Sequence, residues 1–200
     1  MAAGVKKILT ASPHCMNTFN KLYGELKNTI ESEHYIELFD RLIAKGQITP
    51  SRAIDLKVTF HDPCYLGRHN GIYDAPRRVL KSIPGLTLVE MDNNRSRSLC
   101  CGGGGGGPWK QYPPDHRFGV VRVNQAMKTG ANVIATACPY CIRMLNEAIV
   151  ELNVENRIKV QDISELLLTS VEFLDEKSTE KPQKKLDTKT ICLEQEDSHV

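Results

Sequence analysis

The chain has 200 residues, a net charge of +2 and 40% hydrophobic side chains, enough to bury at least one real core. A near-neutral balance without a basic block argues against nucleic acid as a partner, and no apolar run is long enough to span a bilayer. Lys6-Lys7 precede a short apolar run, but Pro13 and His14 end it before a signal-peptide core could form, so the chain reads as cytoplasmic, reaching a membrane only through a partner.

Gly4 to Leu26 has a counterpart further on. Laid over Gly130 to Leu152 it shows nine identities in 23 positions, among them Ile8, Thr10, Ala11, Pro13 and Cys15 against Ile134, Thr136, Ala137, Pro139 and Cys141. This is an internal repeat. Ser12 stands where the second copy has Cys138, and only 11 residues precede it, so the first copy reads as the closing part of one repeat. Residues 1–50 are accordingly expected to be that remnant, and 51–174 a complete second unit.

Tyr35 to Ile43 has apolar positions at helical spacing, closed by Gly46. Asp55 to Phe60 reads as a strand ending at His61-Asp62-Pro63-Cys64. Ala75 to Ile83 is a short helix with Pro76 in its first turn, and Leu86 to Met91 alternates as a strand. Phe118 to Lys128 is an amphipathic helix closed by Gly130. Asn132 to Thr136 is an apolar strand, and Cys138-Pro139-Tyr140-Cys141 opens a helix to about Leu152. Ile158 to Val160 is a last strand and Ile163 to Glu172 a last helix. Strands alternating with helices predict an α/β fold with a mostly parallel sheet and flanking helices. In such sheets ligands sit beyond the carboxyl ends of the strands, where Cys64 and Cys138 both fall. From Asp175 onward, 12 of 26 residues are Asp, Glu or Lys; residues 175–200 are expected to be a disordered tail, with Cys192 incidental within it.

Five of the seven cysteines, Cys64, Cys100, Cys101, Cys138 and Cys141, form three groups separated by gaps of 35 and 36 residues. Cys100-Cys101 runs straight into six glycines, Gly102 to Gly107. Each glycine in an ordered element costs about 0.5–1 kcal/mol relative to alanine, so an ordered run needs compensation, such as a bulky ligand beside the thiolates. A disordered glycine linker is the plain alternative. Converging thiolates repel one another and are the soft ligands that iron–sulfur clusters require. Zinc is the other metal reading, although structural zinc sites use more compact paired spacings. A metal-free thiol–disulfide oxidoreductase built on Cys138-Pro-Tyr-Cys141 is a third, with the first thiolate favoured by the helix N-terminus. It leaves Cys64, Cys100-Cys101 and the glycines without a role.

The arrangement of Cys64, Cys100-Cys101-Gly102 and Cys138-x2-Cys141 resembles the cysteine-rich CCG domain of the heterodisulfide reductase family. His61-Asp-Pro-Cys-Tyr-Leu-Gly-Arg68, Tyr73-Asp-Ala-Pro-Arg77 and Ala135-Thr-Ala-Cys-Pro-Tyr-Cys141 extend the likeness over roughly residues 4 to 172. Relatives of this kind include the iron–sulfur subunits of glycolate and lactate oxidation and of anaerobic glycerol-3-phosphate dehydrogenase. The resemblance implies that Cys64, Cys100, Cys101, Cys138 and Cys141 are ligands of a [4Fe–4S] cluster, non-cubane in heterodisulfide reductase, and that Cys15 matches only the last ligand of another copy. It implies electron transfer to a disulfide or quinone-linked acceptor with other redox subunits (ferredoxin-like, flavoprotein or membrane cytochrome). A non-catalytic cluster-binding fragment, or one half of a split complex, is the competing role. His61 is read as a strand-end cap, Trp109 as packing, and Arg68 and Arg77 as surface side chains.

Overall fold

The computed structural model describes residues 4–23, 30–113 and 116–172; the charged tail with Cys192 lies outside them. The elements are β1 (Lys7–Thr10), α1 (Pro13–Lys21), β2 (Glu31–His34), α2 (Tyr35–Ala44), β3 (Leu56–Phe60), α3 (Asp74–Ser82), β4 (Leu86–Val89), α4 (Phe118–Lys128), β5 (Val133–Thr136), α5 (Pro139–Glu151), β6 (Lys159–Asp162) and α6 (Ile163–Ser170). The fold is α/β, and every strand pair is parallel.

Val133-Ile134-Ala135-Thr136 is buried along its whole length, as a central strand covered on both faces must be. It sits inside a four-stranded sheet of order β4-β3-β5-β6. Side-chain alternation then splits the core in two. Val133 and Ala135 join Val58, Phe60, Val79, Leu80, Ile163 and Leu166 on the face covered by α3, α6 and α2. Ile134 joins Val120, Val123, Leu145 and Ile149 on the face covered by α4 and α5. The chain leaves β3 for β4 on one side, while β5 and β6 extend the other, so the strand order reverses between β3 and β5. A crevice opens at such a switch point. Cys64 follows β3 and Cys138 follows β5.

A second, two-stranded sheet pairs β1 with β2. Glu31-Ser32-Glu33-His34 has none of the apolar residues that mark a strand, and the sequence does not predict it. Its buried polar groups are mostly satisfied locally, the Nε2 of His34 excepted. Glu33 is held by Lys7 at 2.6 Å and by Arg41, and Ser32 Oγ donates to Met16 O at 3.2 Å. His34 caps α2 in a capping box with Glu37. Asp162 does the same for α6 with Glu165. Thus β1-α1-β2-α2 and β5-α5-β6-α6 share element order, parallel pairing, a proline opening the first helix and a capping box opening the second.

Candidate metal centre

Three segments bring sulfur to the crevice between β3 and β5. His61 N–H donates to Ala135 O at 2.9 Å, extending the ladder one step past β3, and Cys64 follows in the next turn. Cys138 is the N-cap of α5, and Cys141 lies on its first turn. Cys100-Cys101 arrives on the long connection after β4, which a set of arginines pins down. Arg68 Nη2 donates to Ser98 O at 2.8 Å, tying the Cys64 turn to the stretch of chain before Cys100. Arg77, only 4% exposed, holds Asp62 through two bonds of 2.7 and 2.9 Å and Glu90 through two more of the same lengths. The expectation that Arg77 is a surface side chain therefore fails. Arg68 is exposed as expected, yet it too acts as a clamp. Trp109 departs from expectation in the other direction, being 82% exposed.

The sulfurs interact as a row. Cys64 meets Cys100, Cys100 meets Cys101, Cys101 meets Cys141 and Cys141 meets Cys138. Cys101, Cys138 and Cys141 are buried, and the other two are half-buried. Hydrogen bonding from the thiols of Cys101 and Cys64 holds Cys100 down to about 2. Hydrogen bonding from Cys141, with His14 adding to it, holds Cys138 down to about 5 despite burial. Cys64, Cys101 and Cys141 are pushed up, each first by a neighbouring cysteine. The shared hydrogen bonds thus favour the thiolate at Cys100 and Cys138 and the thiol at Cys64, Cys101 and Cys141. Cys15 is exposed and stands outside the row.

The glycine run is ordered here. Gly102 N–H donates to the Cys100 sulfur at 3.3 Å, and Gly107 N–H closes a turn on Gly104 O at 3.0 Å. Gly102 has φ of +89°, and a Cβ on Gly107 would overlap the Gly102 carbonyl oxygen. The run therefore folds back on itself beside the thiols, which removes the linker alternative. A cavity of about 270 Å³ opens there, lined by Cys100, Cys101, Gly102, Lys110, Arg117 and Met144 among others.

His61 is completely buried, and one of its ring nitrogens lies within 4.8 Å of the sulfurs of Cys101 and Cys141. Burial, reinforced by Arg122, pushes it down to about 3, so it is neutral. It is not the plain strand-end cap expected. Arg122, also fully buried, was not foreseen at all, although Gly119, Arg122, Val123 and Ala126 fall on one helical stripe and place it among apolar residues. On the far side, His14 of α1 stacks on Tyr65 with ring centroids 4.0 Å apart, so the first repeat unit touches the site.

An iron–sulfur cluster needs soft donors, backbone N–H groups near its sulfides and freedom from side-chain crowding. The five thiols, Gly102 N–H and the orphaned Nε2 of buried His61 meet that requirement.

Residues 58–146 match the family model described as "Cysteine-rich domain", CCG. The chain is 41% identical over 177 residues to "Probable iron-sulfur-binding oxidoreductase FadF" of Bacillus subtilis, covering 88% of this chain and 25% of that protein. It is 34% identical over 176 residues to "EtfAB:quinone oxidoreductase" of Syntrophomonas wolfei, covering 84% and 24%. It is 39% identical over 170 residues to one of the subunits of dihydromethanophenazine:CoB–CoM heterodisulfide reductase from Methanosarcina mazei, covering 82% and 40%. The chain thus spans between a quarter and two fifths of these relatives' lengths. Residues 58–146 thus carry a CCG cysteine-rich domain, and the chain is similar to a heterodisulfide reductase subunit and to iron–sulfur oxidoreductases.

Proposed function

We propose that Cys64, Cys100, Cys101, Cys138 and Cys141 hold one [4Fe–4S] cluster of non-cubane form, and that the chain passes electrons to a disulfide or quinone-linked acceptor. The convergence of five thiols at the switch-point crevice carries this reading. Five sulfurs exceed the four that a cubane takes, and a row of them suits a multi-iron group better than one tetrahedral ion. Burial of both Cys138 and Cys141 supports the cluster over a metal-free thiol exchanger, whose attacking sulfur must be reachable. Bound there, the cluster would supply one-electron steps. The chain's own residues would fix its ligands, shield it with Met144 and the α5 face, and leave the glycine-lined cavity as the approach to it.

The acceptor classes come from the names of two relatives, one a quinone oxidoreductase and one part of a heterodisulfide reductase. Partners would be other redox subunits, ferredoxin-like, flavoprotein or membrane cytochrome. No helix among the described residues is long and apolar enough to cross a membrane. A reducing cytoplasmic setting, with membrane association through a partner, fits the six free thiols among the described residues. Residues 51–174 would be the complete unit, and residues 1–50 the closing elements of another copy.

Anaerobic purification or reconstitution tests the reading. We expect about four irons with matching sulfide, lost in Cys100→Ser and Cys101→Ser, and an EPR signal on redox poising. Zinc in place of iron, or no metal after reconstitution, would overturn it.

A further inference from the structure

Arg122 is a fully buried cation that lacks an ion-pair partner among the described residues. Its Nε donates to His61 Nδ1 at 3.1 Å. Nη1 donates to Asn93 O at 2.7 Å and Gln125 Oε1 at 2.9 Å, and Nη2 to Ser98 Oγ at 3.1 Å. All four acceptors are neutral. Burying a guanidinium without a counter-charge in contact is costly; Asp62 and Glu90 favour its charge from a distance, as does Cys141, and the sulfurs of Cys101 and Cys141 lie across His61.

The geometry also decides the state of the imidazole. Guanidinium offers only donors, so Nδ1 must accept. An imidazolium would set N–H against N–H, and a neutral ring carries its single proton on the other nitrogen. That nitrogen, Nε2, is buried and has no hydrogen-bond partner among the described residues. Alternation along the strand explains why it faces this way: Val58 and Phe60 enter one core, so Thr59 and His61 point to the opposite face, where α4, α5 and the cysteines lie.

We propose that Arg122 locks His61 as its Nε2–H tautomer, making His61 a hydrogen-bond donor to the sulfurs of the five-cysteine site and not a metal ligand. This rests on the cluster reading above. A protonated Nε2 has no lone pair for iron, yet it can donate to a cysteine or sulfide sulfur. Donation stabilises the more negative, reduced form, so it raises the reduction potential. Arg122 acts through His61 and is a positioning residue.

Two measurements test this on the full chain. The first is long-range 15N–1H correlation on 15N-histidine-labelled, metal-free protein, with His61 assigned by loss of its signals in His61→Gln. We expect Nε2–H in the wild type and a mixed tautomer in Arg122→Met. The second is an EPR-monitored redox titration of loaded protein. His61→Leu and Arg122→Met should titrate at lower potential, while His61→Gln, which keeps an N–H, should stay close to wild type. If His61→Leu does not fold, His61→Gln and Arg122→Met still decide the matter. An Nδ1–H tautomer, a directly coordinated histidine nitrogen in pulsed EPR, or an unchanged potential in Arg122→Met would overturn the proposal. Absence of iron and sulfide in the same samples would instead remove the cluster reading, and His61's role toward it, leaving the tautomer result standing by itself.

Discussion

Arg77 sits between two carboxylates in a medium that solvates it poorly, so removing a buried partner strands charge. Asp62 is 3% exposed and also accepts the Arg95 N–H at 2.8 Å. Asp62→Ala is expected to cost about 3–5 kcal/mol, the range for breaking a buried pair from one side, read as a lower urea midpoint with unchanged slope. Glu90, whose side chain is 37% exposed, can be replaced by water, and Glu90→Ala should cost clearly less. Equal losses would refute the assignment of Asp62 as the main counter-charge. None of this was legible from Arg77 alone, because burial of an arginine is decided by residues 15 and 13 positions away. The cysteines were legible, since their grouping in the sequence already pointed to the convergence that the structure shows. His61 and Arg122 stood between these cases: the two-residue and 3.6-residue periods already placed both on buried faces.

Elements with a strong period were found nearly to the residue, as α2, α4 and α5 show. The strand β2 was missed because its stability comes from Lys7, Arg41, Met16 and Asn20 outside it, not from its own side chains. In the same way α6 stops at Ser170, two residues short of expectation, because Val171 leaves to bridge Pro50. The loop of six glycines invites a sharper test. Its composition is uniform, but its positions are not equivalent. Gly102 at φ +89° and Gly107 against a carbonyl oxygen should not tolerate a Cβ, whereas one on Gly104 would meet nothing within 4 Å. Gly104→Ala should therefore leave stability and iron content near wild type. Gly102→Ala should destabilise by about 1 kcal/mol or more and lower iron occupancy. Equal effects at both positions would mean that the loop is not held in this conformation.

Two halves of the sheet meet where strand order reverses, and the cysteines join them: Cys64 from the β3–β4 half, Cys138 and Cys141 from the β5–β6 half. A ligand shared across that seam links the folding of both. Metal removal should then lower Tm of the whole chain as one transition, by about 2–4 °C for each kcal/mol lost in a chain of this size. Calorimetry before and after anaerobic chelation measures this, and an unchanged Tm would show that the halves hold together without metal. The exposed indole of Trp109 offers an optical consequence. It is the single tryptophan and stands between Gly107 and Lys110, which line the cavity beside Cys100 and Cys101, so the chain has one indole emitter, close in sequence to the candidate metal centre. Iron–sulfur chromophores absorb where indole emits. Quenching of that emission during reconstitution, excited at the red edge where tyrosine does not absorb, therefore follows occupancy in real time, without a label and without a second indole to correct for.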